Sequence, residues 1–174
     1  GVELSPELLE LAFTHRSFAY ETGITTTNER LEFLGDSVLG LIVTEELYLK
    51  YPDLDESRLS PLRSGIVNMR ALADIARTLD LGKYIRLGKG EEVTNGRDKN
   101  SLLADALEAL TGAIYLERRF AECTTVVNRL IADTLESAFE GMGERIADKM
   151  LRELRGALEH ANLGVENFGG SKYV

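Results

Sequence analysis

Five acidic residues sit at spacings that could do chemistry. Glu29, Glu32 and Asp36 are three and four apart, so on an α-helix they share one face. Asp105 and Glu108 are three apart and share a face of another segment. Their neighbours are largely apolar or small: Leu31, Phe33 and Leu34 in the first run, Ala104, Ala106 and Leu107 in the second. Carboxylates inside such runs are expensive to bury without compensation. Converging carboxylates raise one another's pKa unless a cation lies between them. An all-oxygen donor set suits Mg²⁺, or Mn²⁺, better than zinc. A two-cation site of this kind activates water and stabilises a leaving oxygen in phosphodiester cleavage. The spacing alone favours solvated helix faces carrying weak ion pairs, and it does not establish that the two segments meet.

Other residues bound the chemistry. Cys123 is the single cysteine, so neither an internal disulfide nor a thiolate zinc site can form, and it reads as a small buried hydrophobe. One thiol and no apolar run near the ~20 residues of a membrane span fit a cytoplasmic protein without a membrane partner. The net charge of -9 opposes nucleic-acid binding in general, yet it does not forbid a local basic strip, and bound divalent cations invert the field of a carboxylate cluster.

These acids must be positioned by helices. With 174 residues and 44% hydrophobic content, the chain can bury one core with a short appendage. Helical periodicity dominates. Ser5-Pro6 predicts a helix start, with the helix running to about Tyr20. Asn28 is a candidate cap for a long helix from about Glu29 to Lys50, ended by Tyr51-Pro52. A loop follows from Asp53 to about Ser60, then a helix over 61–78 closed near Gly82. Residues 88–100 read as a glycine-rich charged loop. Helices fit 101–116 and 121–139, with a break at Gly141 and Gly143. Beyond it, Ile146, Met150, Leu154 and Leu158, with Leu151 beside them, form an apolar stripe, and the chain turns polar after Gly164. The expected organisation is a domain over 1–140 and a helical appendage over 141–174.

Asn28 to Asp36, NERLEFLGD, resembles the signature of the ribonuclease III family, and Leu103 to Leu116, LADALEALTGAIYL, resembles that family's second acidic motif. Thr14-His15-Arg16-Ser17, Leu87 to Glu91, and Gly96-Arg97 are similar to further family segments in the same order. The likeness covers roughly Leu8 to Ala138. It implies an all-α, dimeric endonuclease domain that cuts double-stranded RNA with divalent cations, leaving a 5′ phosphate and a short 3′ overhang. Glu32, Asp36, Asp105 and Glu108 would be the metal-binding catalytic carboxylates, with Glu108 the most direct ligand. Glu29 would support them, and Phe33 would plug into a pocket of the second subunit of a homodimer.

His15 is then expected in a structural hydrogen-bonding role, and His160 is expected to face solvent. Arg97 and Lys99, just before the second acidic segment, are either a solvated loop or a phosphate contact. The residues from Asp148 onward are too few for a complete double-stranded-RNA-binding domain of the type that usually follows. Two other readings remain: a catalytically inactive relative that binds RNA or the ribosome, which intact acids at all four positions oppose, and a purely structural helical dimer, which the net charge would suit.

Overall fold

The computed structural model describes residues 2–160, with side chains to residue 156. The chain divides into two compact units, Gly1–Glu136 and Ser137–Val174.

The first unit is helical, and among the described residues its one β-type contact is an isolated bridge between Thr14 and Arg86. Helix α1 spans Pro6–Ala12 and α2 spans Arg16–Thr22, where the periodicity predicts one helix. The break has a tertiary cause. The Arg86 N–H donates to the Phe13 carbonyl at 2.8 Å and the Arg86 carbonyl accepts from the His15 N–H at 3.2 Å. Those peptide groups are thereby withdrawn from an uninterrupted α1–α2 ladder, and the His15 imidazole caps the new helix by accepting the Ser17 N–H.

Helix α3 covers Glu29–Lys50, within the predicted bounds. Asn28 does stand at its N-cap but does not cap it. Its buried side chain donates to the Ala12 carbonyl at 3.3 Å and its N–H donates to Thr14 at 2.9 Å, so Asn28 fastens the start of α3 to the α1–α2 junction.

Helix α4 spans Glu56–Ile66 and α5 spans Met69–Thr78. This replaces both the predicted loop before Ser60 and the single helix over 61–78, and Pro61 lies inside α4 instead of opening it. One side chain divides the two helices: Asn68 Nδ2 donates to the Ser64 and Gly65 carbonyls, and Asn68 Oδ1 accepts the Ala71 N–H. The expected loop over 88–100 contains a short helix α6, Lys89–Val93, and a 3₁₀ turn, Gly96–Asp98.

The last helix, α7, is assigned over Asn100–His160 and is interrupted at Arg119, whose φ is 64° and ψ is -178°. That interruption lies between the two predicted segments. In the second unit the helix continues through Gly141 and Gly143, so the predicted break there is absent. Met150, Leu151 and Leu154 of the expected stripe are exposed. The side chains of Leu158 and His160, and everything after residue 160, lie outside the described residues.

The core of the first unit sets the site. Ala12, Leu31, Ala109 and Ala113 pack together with Leu4, Leu8 and Leu11 against them, which joins α1, α3 and the first part of α7. α3 packs on α4, α4 on α5, and α2 on α6. Fully buried Ile42, Leu47, Leu62, Ile66, Leu72, Leu103 and Ile131 fill the interior, each burial worth about 1.5–3 kcal/mol. Among the described residues, no helix is long and apolar enough to cross a membrane.

Candidate metal centre and active site

The carboxylates meet because two helix backbones touch. A Cβ placed on Gly112 of α7 would stand 2.3 Å from the Leu31 carbonyl oxygen of α3. At that separation the half-buried side chains of Glu32, Asp105 and Glu108 converge, each offering an oxygen within 4.8 Å of the others. Asp36 is exposed and lies outside this three-oxygen group, although its charge acts on Glu108. Glu29 is exposed as well, held by Thr27 Oγ1 at 2.9 Å and by Arg16 at 3.6 Å.

Electrostatics mark the centre of the cluster. Burial, and then the charges of Asp36, Asp105 and Glu32, push the Glu108 carboxyl up to about 7. Glu32 is raised by burial and by Asp105 and Glu29, against the opposing charge of Arg16. Asp105 is raised by burial, opposed by His15 and Arg16. Groups held above their ordinary range by desolvation and by one another are relieved when a divalent cation enters, and three hard anionic oxygens are the donors Mg²⁺ or Mn²⁺ prefer. The donor set therefore fits a divalent cation.

A cavity of about 500 Å³ adjoins the cluster, lined by His15, Arg16, Glu29, Glu32, Glu91, Lys99 and Asp105 among others. His15 is held by a short relay. The Gly88 N–H donates to Ser17 Oγ at 2.9 Å, and Ser17 Oγ lies 2.8 Å from His15 Nδ1, which also accepts the Ser17 N–H at 3.2 Å. With Nδ1 an acceptor, the neutral ring carries its proton on Nε2. Burial lowers the His15 pKa and favours that neutral form, with Glu91 the largest opposing influence. The expected hydrogen-bonding role of His15 thus takes a specific shape: it caps α2 at the edge of the cavity.

The two loop cations are placed differently from each other. Arg97 reaches inward, donating to the carbonyls of Gly82 at 2.8 Å, Lys83 at 3.2 Å and Ile85 at 3.0 Å, and to Glu92. The guanidinium is thus engaged by the loop's own backbone and by Glu92, although the side chain stays partly exposed. Lys99 lines the cavity, but its ammonium is bound by Glu91 at 2.6 Å and Thr94 at 2.8 Å, and this bond holds the Glu91 carboxyl below its usual range.

Phe33 projects from α3 with 79% of its surface exposed. The apolar run around it is therefore only partly buried within one chain. Sequence reasoning assigned no role to Arg16 or Glu91, which line the cavity; both lie within the quoted family-like segments, and that was the signal available.

A family model described as ribonuclease-III-like matches residues 5–135. The chain belongs to the ribonuclease-III-like family. Among its relatives, ribonuclease 3 of Thermobifida fusca is 57% identical over 158 residues, which is 90% of this chain and 65% of the relative. Ribonuclease 3 of Streptomyces coelicolor is 55% identical over 138 residues, 79% of this chain and 50% of the relative. The chain thus spans between half and two thirds of these relatives' length. The solved nuclease domain of ribonuclease III from Campylobacter jejuni is 44% identical and superposes with a TM-score of 0.71 over 76% of this chain and 90% of that one. That structure was described for flexibility in a region involved in dimer formation. Dicer from Pichia stipitis, at 28% identity, superposes with a TM-score of 0.61 over 79% of this chain and 59% of its own. The ribonuclease-III-like match includes all five acids and the loop with Glu91.

Proposed function

We propose that this chain is the nuclease portion of a divalent-cation-dependent endoribonuclease that hydrolyses double-stranded RNA, leaving 5′-phosphate ends and short 3′ overhangs. The observation that carries this reading is the convergence of Glu32, Asp105 and Glu108 within 4.8 Å beside an open polar cavity. Such a cluster, with one carboxyl pushed up to about 7, is what a cation site under mutual repulsion looks like before it is filled. Glu32, Asp105 and Glu108 would hold Mg²⁺, with Mn²⁺ the alternative. Asp36 would complete the set from the exposed side, and Glu29 would support it.

A cation held there supplies water activation and stabilises the leaving oxygen. The chain's own residues set the stage. The Glu108 carboxyl, pushed up to about 7, would release its proton as a cation binds. His15, fixed as an Nε2–H donor, can hydrogen-bond an oxygen of the substrate at the cavity edge. Arg16 offers positive charge there.

The exposed Phe33 supports a homodimer in which the side chain is covered by the second copy. Residues 1–140 would form the endonuclease domain and 141–174 a helical appendage of a cytoplasmic protein. Incubation of the chain with long double-stranded RNA tests the function: cleavage with Mg²⁺ and none with chelator is expected. Intact RNA under both conditions, from folded protein, refutes it.

A further inference from the structure

The acidic balance of the chain leaves open how RNA would be held at this site. Cleavage needs a phosphodiester beside three carboxylates, and a net charge of -9 repels it. Two cations line the carboxylate cavity among the described residues, Arg16 and Lys99. The Lys99 ammonium is committed to Glu91 and Thr94. Arg16 differs. Its side chain is 74% exposed, and it pairs with Glu29, itself 53% exposed, across 3.6 Å. Exposed pairs of that length are weak, so a phosphate can displace the carboxylate or share the guanidinium with it.

Tyr20 stands four residues after Arg16 on α2, hence on the same helix face, and is 90% exposed. The two line a second depression together with His15, Ser17, Glu21 and Glu91. That depression and the carboxylate cavity share His15, Arg16 and Glu91, so the α2 face continues the site outward. An RNA duplex shows a protein its phosphates and the 2′-hydroxyls of a wide, shallow minor groove. A guanidinium and a phenol one helical turn apart match that pair of features.

We infer that the α2 face carrying Arg16 and Tyr20 is the landing surface for the duplex beside the scissile bond, with Arg16 taking a backbone phosphate and the Tyr20 phenol reading a ribose 2′-hydroxyl. This assignment rests on the endoribonuclease reading above and adds to it the two side chains that hold the substrate. Neither residue takes part in the chemical step.

The test measures binding of a short RNA duplex, and of the DNA duplex of the same sequence, by fluorescence anisotropy with Ca²⁺ replacing Mg²⁺, across a salt series. Cleavage of the RNA with Mg²⁺ is followed in parallel. Lys50→Gln is the charge-matched control, because Lys50 ends α3 about 30 Å from Glu29 along the helix. Arg16→Gln is expected to weaken RNA binding several-fold and to reduce the slope of log affinity against log salt by about one, while Lys50→Gln leaves the slope unchanged. Tyr20→Phe, which keeps the ring and removes the hydroxyl, is expected to lower the preference for RNA over DNA several-fold. Wild-type cleavage with an unaltered salt slope in folded Arg16→Gln, or an unaltered RNA preference in folded Tyr20→Phe, overturns the assignment alone. Wild-type protein that neither binds nor cuts the RNA duplex overturns the functional reading and this assignment with it.

Discussion

Gly35 of α3 faces the peptide carbonyl of Glu108 so closely that a Cβ at position 35 would stand 1.7 Å from that oxygen. No side chain fits there without driving the helices apart. Gly35→Ala is therefore expected to destabilise the protein by roughly 3 kcal/mol, at the upper end of overpacking effects. It should also pull Glu32 from Asp105 and Glu108. Denaturant unfolding measures the first effect, and loss of Mg²⁺-induced stabilisation measures the second. A variant with wild-type stability would show that α3 and α7 do not meet at this point.

Glu108→Gln keeps size and polarity while removing a full charge from the most strongly perturbed carboxyl. Cleavage should fall by orders of magnitude, because cation occupancy falls. The fold should persist, with stability in chelator at pH 8 equal to or above that of wild type, since a repelling charge has gone. Near-normal cleavage by the folded variant at low Mg²⁺ would remove Glu108 from the site.

The same carboxyl predicts how stability varies with pH. Glu108 keeps its proton to about 7 in the folded protein, against an ordinary value of 4.5. Between those values the folded state binds more protons than the unfolded state, so stability without metal falls as pH rises. Cation binding competes with that proton and strengthens over the same range. Thermal melts in chelator should drop by a few degrees between pH 5 and pH 8, and the increment added by Mg²⁺ should grow. Melts independent of pH in chelator would contradict the burial of Glu108 among like charges.

Phe33, Leu41 and Tyr48 are exposed and lie within about a quarter turn of one another on α3. Such a stripe suits a self-complementary contact about a two-fold axis. Phe33→Ala is expected to weaken dimerisation by roughly 2–4 kcal/mol. Light scattering at micromolar concentration decides it: a monomeric wild type would refute the dimer, and an unchanged dimer in the variant would move its centre away from Phe33.

Arg97 spans three carbonyls and Glu92 with one planar fork, a pattern an ammonium cannot reproduce. Arg97→Lys should lower stability by about 1–3 kcal/mol, with little effect on the salt dependence of RNA binding. A steep change in that salt dependence without loss of stability would return Arg97 to the RNA interface.

The residues differ in how far local sequence exposes their roles. Helix α3 follows local rules: an unbroken periodic run and the stop at Tyr51-Pro52 mark its extent, and helical spacing alone puts Glu29, Glu32 and Asp36 on one face. Which of those acids meets Asp105 depends on where α7 crosses α3, and Gly35 and Gly112 set that crossing through a contact between distant segments. The split of α1 from α2 was hidden for a similar reason, since its cause is the peptide of Arg86. Asn28 and Asn68 both carry the type expected of a cap. Only Asn68 caps, because the Asn28 side chain has a buried carbonyl to satisfy. Arg97 resembles a surface cation in sequence because the carbonyls it binds are backbone atoms, which composition cannot reveal.

The crossing of α3 and α7 also bears on when, during synthesis, the carboxylate cluster comes into being. Glu32 leaves the ribosome roughly 70 residues before Asp105 and Glu108, an interval of several seconds at ordinary rates of synthesis. During that interval the nascent chain carries one member of a three-oxygen cluster and lacks the helix against which Gly35 closes. A cluster assembled this way comes into being only once the first part of α7 has been made and has closed against α3.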